Sequence, residues 1–165
     1  MEILYTDGSD RRFIALCEEL DGFLNEAVGG EKQRSKYSQY NSLEKIHDVV
    51  LIVEDGTAVA CGGLREYEPG TAEIKRVFTR AACRGCGYGG HVMAALEKRA
   101  REKGYTRLIL ETGAVLQSAA RLYRALGYRV IENYGPYASM PESVCMEKIL
   151  ALRSVSTPSD RRPSF

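Results

Sequence analysis

The residues with the clearest chemical potential form a glycine-rich segment in the middle of the chain. Its sequence is Arg84-Gly85-Cys86-Gly87-Tyr88-Gly89-Gly90, and an amphipathic stretch from His91 to Lys103 follows it. Glycine lacks the Cβ atom that keeps ligands away from the backbone, and it adopts left-handed dihedral angles at little cost. The first N–H groups of a helix are unpaired and carry partial positive charge. The segment therefore predicts a binding site for a phosphate or pyrophosphate group.

The residues before this segment predict a helical N-terminal part and an antiparallel sheet. Glu2–Thr6 is an apolar run typical of an edge strand, and Asp7 or Ser9 can cap the helix after it. Apolar residues recur at helical spacing from Phe13 to Leu24, and a second amphipathic helix is predicted from Lys32 to Ile46. Turn residues separate three extended runs, which predict a meander of strands: Val49–Val53, Ala58–Leu64 and Ala72–Thr79.

The residues after the glycine segment predict a crossover connection. A helix from His91 to Lys103 leads into the strand Arg107–Glu111, which places this strand parallel to the last strand of the meander. A helix from Ser118 to Leu126 and two final strands complete the pattern: Tyr128–Asn133 and Ser143–Ile149. We therefore predict one α/β (α+β) domain over residues 1–153, with a mixed sheet of about six to seven strands and helices on both faces. Residues 154–165 predict a flexible tail, because Ser, Pro and Arg dominate there without apolar periodicity.

Composition narrows the range of partners. The formal net charge of +1 creates no broad field for nucleic acid or for an anionic membrane, so neither partner is expected. No apolar run approaches the roughly 20 residues that a membrane span needs. The five cysteines are odd in number and scattered, which favours reduced thiols and a cytoplasmic location. Cys83 and Cys86 form a C-x-x-C pair without a second Cys or His pair, so no metal site is predicted.

A dinucleotide-binding fold is the first alternative for the glycine segment. Gly85–Gly90 satisfies the pattern G-x-G-x-x-G, and Glu111 ends the next strand. In that fold the first glycine directly follows its strand, whereas here Arg80–Arg84 intervene after Thr79. Too little chain follows Glu111 to form a second nucleotide-binding half and a substrate domain. The spacing therefore disfavours a nicotinamide dinucleotide oxidoreductase.

The segment Arg84–Gly89 also fits the pattern Arg/Gln-x-x-Gly-x-Gly/Ala, and with it the chain resembles the GNAT superfamily of acyl-CoA-dependent N-acyltransferases. Three other segments resemble the central strand, the next strand and the A-x-x-L-Y-x-x-x-G-F/Y helix of that family: Ala72–Thr79, Leu108–Thr112 and Ala119–Tyr128. Order and spacing agree from Val49 to Ile149. The resemblance implies a single-domain GNAT fold with a mostly antiparallel sheet and a splayed central strand pair.

The resemblance also implies a binding site for acetyl-CoA. The pyrophosphate of coenzyme A would accept hydrogen bonds from backbone N–H groups of the glycine segment, and the pantetheine arm would pair with the end of the central strand. These groups correspond to Arg84, Gly85, Cys86, Gly87, Tyr88, Gly89, Gly90, Val77, Phe78 and Thr79. Leu116 stands where many relatives carry an Asn, and the neighbouring Gln117 is the residue expected to contact the pantetheine arm instead.

Catalytic roles come from the same resemblance. Tyr123 corresponds to the general acid that protonates the departing thiolate, and it would also contact the cofactor. A simpler interpretation of the sequence is that Tyr123 only packs beside Leu122 and Leu126 in an amphipathic helix. Glu73, on the central strand, corresponds to a carboxylate that removes a proton from the amine, with Glu111 or water as the alternative base. The acetyl group would pass directly from the thioester to the amine through a tetrahedral intermediate.

The acceptor is expected to be a small primary amine or an amino-acid-like molecule. Tyrosines offer flat apolar walls with polar tips, and a basic side chain can hold a carboxylate, as Lys75 or Arg76 would. The residues expected to line the acceptor side are Tyr37, Tyr40, Asn41, Arg76 and Tyr137. Two alternatives stay open: an acetyltransferase that acts on a protein amine, and a catalytically silent sensor that only binds acyl-CoA. The resemblance also suggests a homodimer, since dimers are common in the family.

Overall fold

The computed structural model describes residues 1–27 and 42–151, in which one sheet carries helices on both faces. The strands are β1 (Glu2–Thr6), β2 (Asp48–Glu54), β3 (Thr57–Glu68), β4 (Thr71–Thr79), β5 (Arg107–Gly113), β6 (Arg129–Ile131) and β7 (Ser143–Ile149). The α-helices are α1 (Arg11–Ala27), α2 (Tyr88–Glu102) and α3 (Gln117–Ala125), and two 3₁₀ turns span Ala81–Cys83 and Gly135–Ser139. The predicted fold class is confirmed.

The sheet has the order β1-β2-β3-β4-β5-β7-β6 and is antiparallel except between β4 and β5. That parallel pairing covers three positions, from Thr71 opposite Arg107 to Glu73 opposite Ile109. Beyond it both strands continue without pairing to each other, to Thr79 and Gly113. The central strands therefore splay apart, as the resemblance implies.

A bulge in β4 accompanies the splay. The register with β3 shifts between Cys61 and Gly63, and Arg76 on the opposite strand has a φ of 61°. A bulge bends a strand and increases its twist, and a left-handed residue other than glycine is costly. Two contacts hold this conformation: the Arg76 guanidinium donates to Asp21 of α1 at 2.7 and 3.3 Å, and the Arg76 carbonyl accepts from the Cys61 thiol at 3.3 Å.

Two apolar cores flank the sheet. In β2, Val50 and Ile52 face α2, whereas Val49 and Leu51 face α1. A β-branched run of this kind is typical of a strand that is buried on both faces. The two-residue turn after β2 consists of Asp55 and Gly56, both at positive φ, which matches the twist of a tight hairpin.

Several element boundaries differ from the predictions. Asp10, rather than Asp7 or Ser9, caps α1, because its carboxylate accepts the backbone N–H of Arg12 at 2.9 Å. The helix predicted to reach Ile46 lies mostly outside the described residues, and 42–46 form a turn rather than a helix. Strand β6 is shorter than the predicted Tyr128–Asn133. The predicted tail at 154–165 lies outside the described residues.

Close packing fixes α2 against β3. A Cβ atom on Gly62 would lie 2.7 Å from Cγ1 of Val92 and 2.9 Å from Cδ1 of Leu96, which is closer than atoms can approach. The helix is thus seated on the backbone of β3 itself. Farther along, a Cβ on Gly89 would lie 3.0 Å from Cδ2 of Leu122, so the start of α2 also lies close to α3.

We expect Gly62→Ala to lower the free energy of unfolding by about 1–3 kcal/mol, because the added methyl group overpacks the contact between β3 and α2. Gly22→Ala is the matched control, since a Cβ at this position in α1 meets nothing within 4 Å. It should raise the free energy of unfolding by up to about 1 kcal/mol through helix propensity. Urea unfolding of both variants measures the difference, and equal stabilities would contradict the packing argument.

Candidate active site

A cleft of about 1190 Å³ opens where β4 and β5 diverge. Its walls are the end of β4, the glycine segment with the start of α2, the end of β5, and α3. Leu20, Phe23 and Leu24 of α1 contribute one side of it. The cleft therefore extends along the unpaired edge of β4 and passes between the two faces of the sheet.

The end of β4 offers main-chain groups to the cleft. Phe78 and Thr79 are opposite Cys61 and Ala60 of β3, so one edge of β4 is in the sheet. The other edge has no strand beside it after Glu73, and Val77, Phe78 and Thr79 line the cleft there. Backbone polar groups at such an edge need hydrogen-bond partners. An extended ligand that carries amide groups fits this edge.

The glycine segment leads into the start of α2 through two left-handed glycines. Gly85 and Gly87 have φ values of 82° and 81°, and Gly87 is the N-cap of the helix. The first intrahelical bond of α2 runs from the N–H of His91 to the carbonyl of Gly87 at 3.3 Å. The N–H groups of Tyr88, Gly89 and Gly90 therefore belong to the first turn, where a helix leaves its donors unpaired. The helix begins at Tyr88, three residues before the predicted start, so these donors lie within the motif.

The side chains of the segment have separate positions. The Arg84 guanidinium lies over the rings of Phe23 and Phe78, 4.5 and 5.9 Å from their centroids, and Nε donates to the carbonyl of Thr79 at 3.3 Å. Tyr88 donates its hydroxyl to Glu54 at 3.0 Å. Cys86 is exposed and does not line the cleft, in contrast to the other residues of the segment.

Helix α3 brings Tyr123 to the cleft. The helix begins at Gln117, which also lines the cleft, and Tyr123 is its buried residue. The Tyr123 ring contacts that of Tyr128 edge to face, with 6.1 Å between the centroids. Burial, and then the charge of Glu111, raise the pKa of Tyr123 above its ordinary value. The phenol is therefore fully protonated at neutral pH and is a proton donor.

Glu111 of β5 lines the same cleft as Tyr123. Burial raises the pKa of the Glu111 carboxyl from its ordinary 4.5 to about 7, against the opposing effects of a hydrogen bond from Ser143 and the charge of Lys75. A carboxylate whose pKa lies near neutrality is suited to accept and release protons at that pH. The geometry therefore places the Glu111 carboxyl and the Tyr123 phenol in the walls of one cleft.

Glu73, the base expected from the resemblance, lies outside the large cleft. It lines a second, smaller cavity of about 260 Å³ together with Arg65, Tyr67, Lys75, Tyr134, Pro136 and Tyr137. The buried carboxylate accepts a hydrogen bond from the Tyr134 hydroxyl at 2.5 Å and lies 3.8 Å from Nζ of Lys75. It does not line the large cleft.

The residues expected on the acceptor side are divided. Tyr137 lines the small cavity, and its hydroxyl accepts a hydrogen bond from Nζ of Lys75 at 3.1 Å. Arg76 lines the large cleft and pairs with Asp21. Tyr37, Tyr40 and Asn41 lie outside the described residues. Sequence reasoning missed Arg65 and Tyr67. The signal was available, because Arg65 and Glu73 lie four residues before and four residues after Pro69 and so pair across the β3–β4 hairpin.

In the described part of the chain, no group of three or more Cys, His, Asp or Glu side chains is placed to hold a metal ion. None of the helices in that part is long and apolar enough to cross a membrane.

Comparison with known proteins identifies the class of this site. A model of the acetyltransferase (GNAT) family matches residues 13–128. The IAA acetyltransferase of Azospirillum brasilense is 33% identical over 138 residues, which are 83% of this chain and 90% of that protein. An uncharacterised N-acetyltransferase of Bacillus subtilis, YsnE, is 33% identical over 99 residues, which are 59% of this chain and 66% of that protein.

Solved structures share the fold. A Klebsiella pneumoniae protein assigned as an acyl-CoA N-acyltransferase has a TM-score of 0.76 and 32% identity, over 91% of this chain and 97% of that one. The PaiA N-acetyltransferase of Thermoplasma acidophilum, solved with coenzyme A, has a TM-score of 0.62 and 18% identity, over 90% and 99% of the two chains. The fold and the cleft are thus those of an acyltransferase. The chain belongs to the GNAT acetyltransferase family, and the resemblance stated from its motifs is confirmed.

Proposed function

We propose that this protein transfers an acetyl group from acetyl-CoA to the primary amine of a small molecule. The observation that carries the proposal is the cleft between β4 and β5, which has an anion site at one end and the pair Tyr123 and Glu111 in its wall. The scattered, unpaired cysteines favour a cytoplasmic setting for this reaction.

The glycine segment fits the pyrophosphate of the donor substrate. A Cβ atom built on Gly85, Gly87 or Gly90 meets nothing within 4 Å, so the space above the backbone is open to a ligand. The N–H groups of the first turn of α2 would donate to the phosphate oxygens, and the positive end of the helix favours their charge. The pantetheine amides would pair with the free edge of β4 at Val77–Thr79.

The proton transfers divide between two side chains. An alkyl ammonium with a pKa near 10 loses its proton at neutral pH at a cost of roughly 4 kcal/mol. We assign this proton to Glu111, which faces the cleft, rather than to Glu73, which lies in the small cavity. The amine lone pair then attacks the thioester carbon, and the C–S bond breaks as the tetrahedral intermediate collapses. Tyr123 would protonate the departing thiolate, since its phenol holds its proton at neutral pH.

We expect Gly87→Glu to abolish binding of acetyl-CoA, because a side chain and a negative charge would enter the phosphate site. Gly104→Glu is the matched control: Gly104 has a φ of 86°, also meets nothing within 4 Å, and lies at the opposite end of α2. Both variants carry the same backbone strain and the same added charge.

A thermal melt with acetyl-CoA, coenzyme A and NAD measures this binding. Ligand at 100 times its Kd adds about 2.7 kcal/mol of stability. The unmodified protein and Gly104→Glu should be stabilised by the two coenzyme A ligands alone, and Gly87→Glu by none. Retained stabilisation of Gly87→Glu would remove the glycine segment from the proposed site.

Tyr123→Phe should lower kcat by about 10²–10⁴ with little change in KM for acetyl-CoA, because the acid is lost while the ring stays. Tyr105→Phe, another buried tyrosine whose residue does not line the cleft, is the control. Thiol release with a panel of small amines and with lysine-containing peptides gives the rates. Full activity of Tyr123→Phe would assign Tyr123 to packing alone, and no transfer to any amine would favour a silent acyl-CoA sensor.

The pH dependence of kcat/KM distinguishes the two carboxylates. If Glu111 is the base, kcat/KM should rise with pH through about 7, because the Glu111 carboxyl must lose its proton to act. Glu111→Gln should remove this rise and lower the rate, whereas Glu73→Gln should keep the rise. The opposite pattern would assign the base to Glu73, and a rise that survives in both variants would assign it to water.

A further inference from the structure

The small cavity adjoins the large cleft through one side chain. Lys75 lines both cavities, and among the described residues it is the one member common to the two linings. Its ammonium group lies 3.1 Å from the Tyr137 hydroxyl and 3.8 Å from Oε1 of Glu73. A ligand in the small cavity that reaches Lys75 therefore also reaches the wall of the cleft in which acyl transfer is proposed.

The small cavity carries an excess of positive charge. Its charged members are Arg65, Lys75 and Glu73, two cations against one carboxylate. Nε of Arg65 is buried without a hydrogen-bond partner in the described part of the chain, and Nη1 of Arg65 lies 4.0 Å from Glu73. Burying a polar group without a partner is costly. An anionic ligand in the cavity would accept hydrogen bonds from the Arg65 guanidinium group and balance the charge.

The buried ammonium group supports the same reading. A lysine carries three N–H donors, and the structure shows one hydrogen bond, to Tyr137, at this group. Burial lowers the pKa of Lys75, while the charges of Glu73 and then Glu111 oppose that shift. A carboxylate at this position would further stabilise the ammonium form.

The remaining walls limit the size of the ligand. Tyr67 contacts Tyr134 edge to face at 5.3 Å between centroids, and Tyr134 contacts Tyr137 in the same way at 5.7 Å. Such rings form flat apolar walls. The volume of about 260 Å³ lies below the roughly 300–1,000 Å³ of pockets for drug-sized ligands. The cavity thus suits a single small molecule rather than a peptide.

We propose that the small cavity binds the carboxylate of the amine acceptor through Arg65 and Lys75, so that the acceptor is a free amino acid or a similar small amino acid. This inference rests on the proposed acetyl transfer and narrows its acceptor. In an α-amino acid one carbon separates the carboxylate from the amine. With the carboxylate on Lys75, the amine would lie close to the side chain that lines both cavities. A lysine side chain within a protein has no carboxylate at this distance.

Matched pairs of ligands test the inference without requiring turnover. The protein is melted with coenzyme A together with N-acetyl amino acids or with the N-acetyl amines that lack only the carboxylate. Kinetics use the parent amino acids and amines with acetyl-CoA. Because a hydrogen bond to a charged group contributes about 1.5–3 kcal/mol, we expect the acids to exceed the amines by about tenfold or more in kcat/KM, and to stabilise the protein where the amines do not.

Substitutions in the small cavity test whether it is the source of the preference for acids over amines. Arg65→Gln and Lys75→Met should each reduce the ratio of acid to amine by about tenfold and leave KM for acetyl-CoA unchanged. Lys98→Gln removes the same charge from an exposed position on α2 and should keep the ratio. Arg65 is about one-third exposed, so Arg65→Gln remains informative if Lys75→Met does not fold.

Two kinds of failure are distinguishable. If amines accept the acetyl group but acids have no advantage, or if the advantage survives both variants, the carboxylate site is overturned and acetyl transfer stands. If neither coenzyme A nor acetyl-CoA stabilises the protein, acetyl transfer itself fails. In that case, equal melting temperatures with the N-acetyl amino acids and with the N-acetyl amines would overturn the carboxylate site as well.

Discussion

The candidate site depends on the short parallel pairing between strands β4 and β5. After Glu73 and Ile109 the parallel pairing of β4 with β5 stops, and both strands continue apart from each other. Beyond that point the backbone groups on the facing edges of β4 and β5 have no strand partner, although the other edges stay paired with β3 and β7. An unpaired polar group inside a protein is costly. The divergence thus creates the cleft and also supplies the main-chain groups that a ligand can bind. The bulge at Arg76, held by Asp21 of α1, maintains this divergence.

The charged residues near the splay differ in the cavity that they line. Glu73 and Lys75 alternate with the buried Ile74, so both project to one face of β4, where the small cavity lies. Glu111 faces the large cleft with Tyr123. Burial of Tyr123, and then the negative charge of Glu111, raise the pKa of Tyr123, and burial brings the pKa of Glu111 to about 7. The same burial therefore raises the pKa of both groups.

Local patterns in the sequence were sufficient to predict the order of the elements and the glycine segment. The strands after Asp55 and the crossover helix follow from turn residues and apolar spacing, which are local properties. Which of the two carboxylates, Glu73 or Glu111, lines the large cleft could not be predicted, because it depends on where β4 and β5 separate. The start of α2 at Tyr88 was also missed, since glycines at the first turn give no apolar periodicity. Arg65 acquires its place only when β3 pairs with β4.

The absence of a side chain at Gly62 has an effect on ligand binding. Since α2 sits directly on the backbone of β3, with Val92 and Leu96 filling the space, the helix has little freedom to shift. Its first-turn N–H groups are therefore already aligned before an anion arrives. Those donors are ordered when the protein folds, so ligand binding does not carry the entropy cost of ordering them. At the proposed phosphate site, the packing of Val92 and Leu96 on β3 would thus contribute to affinity without touching the ligand.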